Sequence, residues 1–310
     1  MSNILVRNKL TAPHVGKESP LHPMIAAKAR RRIKVAPNYV SSDILWTAEW
    51  WGLDRSTVFA KLDPNLQQAA IKACNRTLMN EAYFIEKSGL AYVAKMILKT
   101  ESTDTAQLYA LIGADEAMHL AWIEPFVLPE DKTHPSGPFL TFLSGLIEEC
   151  EPHLLVYLVQ IILEGWGLDH YKRLAQGCQH VALEEVFRTI LKDEALHHHS
   201  GVMLHDPALF SSADRTMLTE SLKRYADMVR IGPLAAISAL DKTIGGLSLP
   251  EIKEVMAAMS HPTESTRKLA LLKHLMSQPG MESTVEELDE VGYFTALPLA
   301  DAAQYYLEHR

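Results

Sequence analysis

The chain is poor in cysteine, in long apolar runs and in glycine-rich loops, and each shortage removes a class of function. Three cysteines occur among 310 residues. Cys74, Cys150 and Cys178 stand alone with no Cys-x-x-Cys pair, so neither disulfides nor a thiolate metal site is expected. That usage fits a reducing cytoplasm. No stretch approaches the roughly 18 uncharged apolar residues of a membrane span, and the N-terminus has no apolar segment of the secretory type. A cytoplasmic protein that does not enter the membrane is expected. Walker-type loops, Gly-x-Gly-x-x-Gly turns and Gly-x-Ser-x-Gly elbows are missing, which removes sequence support for nucleotide-dependent or serine-hydrolase chemistry. No run alternates for long enough to make a sheet.

What is present is a helical, core-forming chain with uneven charge. Hydrophobic residues at 47% supply a core, and charged residues at 22% suit a soluble protein. The net charge of −8 conceals a basic arm: residues 1–40 carry eight Lys or Arg against one acid, Glu18. A segment such as Lys28-Ala-Arg30-Arg31-Arg32-Ile-Lys34 can touch nucleic acid or anionic lipid. Without a nucleic-acid-reading motif, docking on the acidic body or on a partner subunit is the expected use.

Prolines at 13, 20, 23 and 37 make residues 1–40 an extended arm, and residues 41–62 read as a helical lead-in with Trp46, Trp50 and Trp51. These tryptophans are expected to pack the arm onto the helical body. Helical periodicity then predicts four long helices, at about 65–99, 104–124, 139–176 with a break at Pro152, and 180–203. A Pro- and Gly-containing loop from Pro129 to Pro138 joins the two pairs. Further helices fill 213–308, with breaks at Gly232-Pro233, Gly245-Gly246, Pro262 and Pro279-Gly280. The expected organisation is 1–62 arm and lead-in, 63–206 bundle, and 207–310 additional helices packed on the bundle. The last third is expected to wall a pocket or form a subunit interface.

The most informative feature is a repeat. Ile-Glu86-Lys-Ser-Gly-Leu is followed thirty residues after its glutamate by Asp115-Glu116-Ala-Met-His119. Leu-Glu164-Gly-Trp-Gly-Leu is followed at the same interval by Asp193-Glu194-Ala-Leu-His197. Residues i and i+3 of a helix share a side, so Glu116 with His119, and Glu194 with His197, can each grip an ion from one turn. Glu86 and Glu164, from the other two helices, complete or bridge the pair. Four carboxylates roughly neutralise two divalent ions, and such oxygen donors with one imidazole per metal suit iron or manganese. Without metal, four buried acids repel one another. Glu86 shares its helix face with Ala82, Tyr83, Gly89, Leu90 and Val93. Glu81 lies about 140° away at ~100° per residue and is expected to face solvent.

This ligand pattern over residues 70–205 resembles the ferritin-like di-iron carboxylate superfamily, in its non-haem oxidase and oxygenase branch. The resemblance implies an all-α fold: a ferritin-like four-helix bundle with an N-terminal arm and extra C-terminal helices. It implies two Fe ions, with Mn or mixed Mn/Fe as alternatives, held by Glu86, Glu116, His119, Glu164, Glu194 and His197, which would also be the catalytic set. By the same resemblance Asp115 would orient His197 and Asp193 would orient His119. A further histidine ligand found in some N-oxygenases would fall at Ile190, so that pattern is not met.

Several neighbours invite a role. Gly89 and Gly167 each follow a lone glutamate by three residues, and glycine costs about 1 kcal/mol relative to alanine inside a helix; either close backbone packing or room beside the metals is implied. Among nearby aromatics, Tyr83 and Trp166 are the candidates for electron relay, against an ordinary core role. His198 and His199 turn ~100° and ~200° from His197 and are expected at the surface. The resulting expectation is an O2-activating di-iron (or Mn/Fe) oxidase or oxygenase acting on a small organic substrate, with an external electron donor and a homodimer as compatible partners. The alternatives are a ferroxidase, peroxidase or iron-handling protein, and a metal-stabilised structural protein.

Overall fold

A computed structural model describes residues 8–12, 43–133, 135 and 137–310. It is helical throughout, with no strand among the described residues. The basic segment Lys28–Lys34 and most of the proposed arm lie outside the described residues. The part that is described docks: Leu10 is fully buried, Asn8 Nδ2 donates to the Ser144 carbonyl, and Lys87 Nζ donates to the Ala12 carbonyl at 2.6 Å.

Two short helices, α1 (Ala48–Trp51) and α2 (Thr57–Ala60), form the lead-in. Its tryptophans fix it to the body: Trp46 Nε1 donates to the Leu174 carbonyl and Trp51 Nε1 to Asn75 Oδ1, both at 3.0 Å. Helix α3 (Pro64–Lys99) starts where Asp63 accepts from the amides of Asn65 and Leu66 with Pro64 in the first turn, a favoured start signal. Helix α4 (Thr103–Ile123), capped by Ser102, stops just before Pro125.

The third long segment is not one helix. Helix α5 (Pro138–Glu149) ends at Cys150, where Lys95 Nζ reaches the carbonyls of Ile147, Glu148 and Cys150. Pro152 opens the single turn α6 (Pro152–Leu155), and an eight-residue π-helix (Val156–Leu163) comes next, running into α7 (Glu164–Gly177). Helix α8 (Val181–Leu204) completes the central set.

The C-terminal third adds α9 (Ser212–Arg230), α10 (Leu234–Ile244), α11 (Leu249–Ala258), α12 (Thr263–Met276), α13 (Glu282–Glu290) and α14 (Leu299–His309). Its apolar residues share cores with the central helices. Leu218, Leu222, Leu269 and Met276 join Tyr92, Tyr109 and Tyr157 in one cluster. Ile237, Leu240, Val255 and Tyr306 join Ala70 and Cys74 in another. No helix among the described residues is long and apolar enough to cross a membrane.

The packing places a polar layer between two apolar ones. On α3, Tyr83 and Phe84 belong to one cluster and Tyr92 and Val93 to another, with Glu86 between them. On α4, Ile112 and Leu120 bracket Glu116 and His119 in the same way. Ile162 and Tyr171 do so for Glu164. Four carboxylates and two imidazoles thus occupy the layer that water cannot easily reach.

Candidate metal centre

The six residues of the repeat converge. Glu86, Glu116, His119 and Glu194 each offer a donor atom within 4.8 Å of the others, and so do Glu116, Glu164, Glu194 and His197. Glu116 and Glu194 belong to both groups. The shared carboxylates are therefore those of the two Glu-x-x-His turns, and Glu86 and Glu164 sit at opposite ends. Exposure runs from 0% for His119 to 9% for Glu164, so the least covered end is that of Glu164.

Each imidazole has an inward and an outward nitrogen. His119 Nδ1 lies 3.1 Å from Glu86 Oε2 and 3.5 Å from Glu194 Oε1, while its Nε2 lies 3.2 Å from Asp193 Oδ2. His197 Nδ1 lies 3.4 Å from Glu116 Oε1 and 3.6 Å from Glu194 Oε2, while its Nε2 lies 3.4 Å from Asp115 Oδ2. A carboxylate can only accept, so Nε2–H donates to the aspartate; His119 Nδ1–H donates to Glu86 as well, and loss of that proton would leave Nδ1 as the ligand atom turned to the glutamates. The aspartate of each turn thus holds the histidine of the opposite turn. The two rings are 6.1 Å apart between centroids.

Protonation follows from crowding. Burial pushes Glu116 well above the carboxylate range, and Glu194 and Glu86 push it further. Burial and Glu194 do the same to Glu164. Burial disfavours charge on His119, yet Asp193 and Glu86 outweigh it and hold the imidazolium well above its usual range. For His197, Asp115 and Glu194 overcome burial and hold it at about 10. A buried set of acids that must be neutralised by protons is a set that cations neutralise equally well.

The residues present fit a pair of hard cations. All oxygen donors are carboxylates, one imidazole serves each group, and no thiolate is near. Among the described residues, Glu164 Oε2 and His197 Nδ1 are buried without a hydrogen-bond partner, so a cation between the two groups would satisfy both.

Backbone choices make the room. A Cβ at Gly89 would collide with the Glu116 carboxylate, whereas one at Gly167 would meet only Tyr171 at 3.9 Å. Only Gly89 is sterically required. The π-helix ends immediately before Glu164, and such distortions recur at functional sites. Within it, fully buried Gln160 accepts from the Tyr92 and Tyr109 hydroxyls at 3.0 and 2.9 Å and donates to the His197 carbonyl at 3.0 Å.

Several sequence expectations are corrected. Glu81 is not solvent-facing: it is half-buried, and burial pushes its carboxyl up against the opposing effect of Lys268. It belongs to neither donor group. His198 is half-buried and donates from Nδ1 to the Ile161 carbonyl of the π-helix at 3.0 Å, while His199 is exposed. Tyr83 packs against Phe84 in the apolar layer, and Trp166 lies at the edge of the other. Two other aromatic residues reach candidate ligands: the Trp122 ring packs against His119 with centroids 5.7 Å apart, and the Tyr171 hydroxyl donates to Glu86 Oε1. The position of Tyr171 seven residues after Glu164 puts it two turns along the same helix face, which is the signal that could have singled it out.

No family model matches the chain, and no curated protein or solved structure matches it either.

Proposed function

We propose that this protein is an O2-activating di-metal oxidase or oxygenase of ferritin-like design, acting on a small organic substrate. The observation that carries the reading is the pair of overlapping donor groups sharing Glu116 and Glu194, each with its own histidine backed by an aspartate. Two iron ions fit this donor set, with manganese or a mixed pair as alternatives, because the same hard ligands serve all three.

When bound, such ions supply electrons to dioxygen and direct the oxidising power at a substrate beside them. The chain's own residues set the conditions. Asp193 and Asp115 keep the proton on Nε2 of His119 and His197, so that Nδ1 stays available as a donor. Tyr171 holds its proton toward Glu86, which limits that carboxylate's freedom to swing. The apolar layers on either side exclude bulk water, which strengthens every charge interaction within. Electrons come from a separate donor, since the sequence carries no flavin or iron–sulfur motif.

The test is anaerobic loading with Fe(II), metal counting, and rapid mixing with O2 under an absorbance probe. Two irons per chain and a transient visible band are expected. His119→Ala and His197→Ala are each expected to lose one of the two ions and all turnover, and Glu81→Ala to keep both. Iron oxidation with accumulation of ferric product and no consumption of any organic compound would favour the iron-handling alternative. Failure to bind metal would overturn both.

A further inference from the structure

A run of aromatic rings leads from the candidate metal centre to the protein surface. It begins at Tyr171, whose hydroxyl donates to Glu86. The Tyr171 ring stacks on Phe187 of α8, with centroids 5.8 Å apart and planes 24° from parallel. Phe187 packs against Trp46 at 5.9 Å, Trp46 against Trp50 at 5.6 Å, and Trp50 against Trp51 at 4.8 Å. Cover falls along this run. Tyr171 is buried and Phe187 and Trp46 are sealed, whereas Trp50 and Trp51 are half-buried. Solutes can reach the outer pair and not the inner rings.

The lead-in that carries the tryptophans is pinned in place. Trp46 Nε1 donates to the Leu174 carbonyl of α7, and Trp51 Nε1 to Asn75 Oδ1 of α3. The Gln179 amide donates to the Leu45 carbonyl at 2.8 Å, and Asn75 Nδ2 to the Trp46 carbonyl at 3.2 Å. Trp50 lies so close to Gly177 that a Cβ there would collide with the indole. Gly177 is the last residue of α7 and has no left-handed φ. The approach of Trp50, rather than a turn, is thus the demand that glycine meets there.

Tyrosine and tryptophan are among the side chains that surrender a single electron most readily. Tunnelling decays exponentially with the gap, so rings in contact exchange an electron far faster than rings apart. Phenylalanine is much harder to oxidise, so Phe187 serves as a bridge between Tyr171 and Trp46 and not as a stopping point. The Leu174 carbonyl and the Asn75 amide accept hydrogen bonds but are too weakly basic to take a proton. An oxidised Trp46 or Trp51 therefore keeps its N–H and passes the charge on. The Tyr171 proton has a destination, the Glu86 carboxylate to which it is already bonded.

We propose that Tyr171, Trp46, Trp50 and Trp51, bridged by Phe187, form an electron relay between the centre and the surface of the lead-in. Tyr171 yields one electron to a dioxygen-derived oxidant at the centre, and its proton passes to Glu86, leaving a neutral phenoxyl radical. Trp46 returns an electron across Phe187 as the proton comes back to Tyr171. Trp50 and Trp51 refill Trp46 in turn. A one-electron reductant of the ascorbate type, acting at the outer pair, closes the sequence, so one oxidising equivalent is discharged for each reductant oxidised. This use of the relay rests on the oxidase reading, but the relay itself needs no metal.

The experiment is flash photolysis of the full chain without metal, using a ruthenium(II) tris-bipyridyl sensitiser and a cobalt(III) quencher. Together they leave a one-electron ruthenium(III) oxidant, which oxidises the outer tryptophans and sends the same charge inward. Transient absorption and freeze-quench electron paramagnetic resonance separate indole from phenoxyl radicals. An indole radical is expected first, and a phenoxyl radical at Tyr171 is expected to grow as it decays. Tyr171→Phe should remove that phenoxyl signal and prolong the indole one. Trp46→Phe, which keeps a ring in the core, should reduce the phenoxyl signal to the background left by Tyr171→Phe. Trp50→Phe combined with Trp51→Phe should do the same from the half-buried end, with circular dichroism confirming the helical fold of each variant. No phenoxyl radical, a phenoxyl signal unchanged by Tyr171→Phe, or a Tyr171 signal unchanged by both tryptophan variants would overturn the relay. Because no metal is used, failure of the relay is distinct from failure of the oxidase reading, which Fe(II) loading decides.

Discussion

His119 Nε2 lies 3.2 Å from Asp193 Oδ2, and the two residues come from opposite halves of the repeat. The mirror contact, His197 to Asp115, is 3.4 Å. The pair differs in cover: the Asp193 side chain is 6% exposed and that of Asp115 is 26% exposed. Water can partly replace Asp115 but not Asp193. Asp193→Asn is therefore expected to weaken metal affinity by about 10–100-fold while leaving the fold intact, and Asp115→Asn to weaken it less. Chelator competition measures both, and equal losses would mean that exposure does not govern the contribution.

The buried Glu/His cluster holds protons that an incoming cation would have to displace. His197 sits at about 10 in the folded chain, above the ~6.5 of an unfolded histidine. Its stabilising contribution is complete below about 6.5 and is lost as pH rises through about 10. Glu116 and Glu164 are also raised, so their ionisation destabilises the metal-free fold in the same direction. Calorimetry on the metal-free chain should show its Tm falling between about pH 6.5 and 10, while metal loading near pH 7 releases protons into weak buffer. A flat Tm and no proton release would show that the centre is already deprotonated.

Gly89 and Gly167 look equivalent in the sequence and should behave differently. Gly89→Ala drives a methyl into the Glu116 carboxylate, an overpacking expected to cost about 1–3 kcal/mol and to displace a carboxylate common to both donor groups. Gly167→Ala meets only an ordinary contact and should gain about 1 kcal/mol from helix propensity. Thermal midpoints with metal counts on both variants decide the matter. Two ions retained in Gly89→Ala would mean that Glu116 has room to move.

Those contrasts indicate what a sequence can disclose. Helix ends were legible wherever the signal is local: Pro125, Pro152, Gly232-Pro233, Gly245-Gly246 and Pro262 all lie at or beside observed boundaries. The convergence of the six Glu and His side chains was legible because a thirty-residue interval recurs. The π-helix over Val156–Leu163 was not, since those residues suit an α-helix equally well and their contacts are with a distant helix: Gln160 with Ser200 and Ile161 with His198. Tyr171 was passed over and Glu81 misplaced because what each meets comes from a helix distant in sequence, Glu86 of α3 for Tyr171 and Lys268 of α12 for Glu81. A helical wheel sees only one helix, and Glu81 is covered from another.

Gln160 offers the sharpest test of that tertiary control. Its amide satisfies two tyrosine hydroxyls, the Ser200 hydroxyl and the His197 carbonyl, all inside the apolar layer beside the centre. Gln160→Met preserves volume but leaves the Tyr92 and Tyr109 hydroxyls without their acceptor. Each buried hydroxyl so stranded costs ~1–3 kcal/mol, so a loss of roughly 3 kcal/mol is expected in urea unfolding. Because the His197 carbonyl also accepts from Ser200 Oγ at 2.8 Å, the helix backbone keeps one tie, and metal content should survive at low temperature. A loss below about 1 kcal/mol would mean that water enters beside Tyr92 and Tyr109, and the layer would then be wetter than its burial implies.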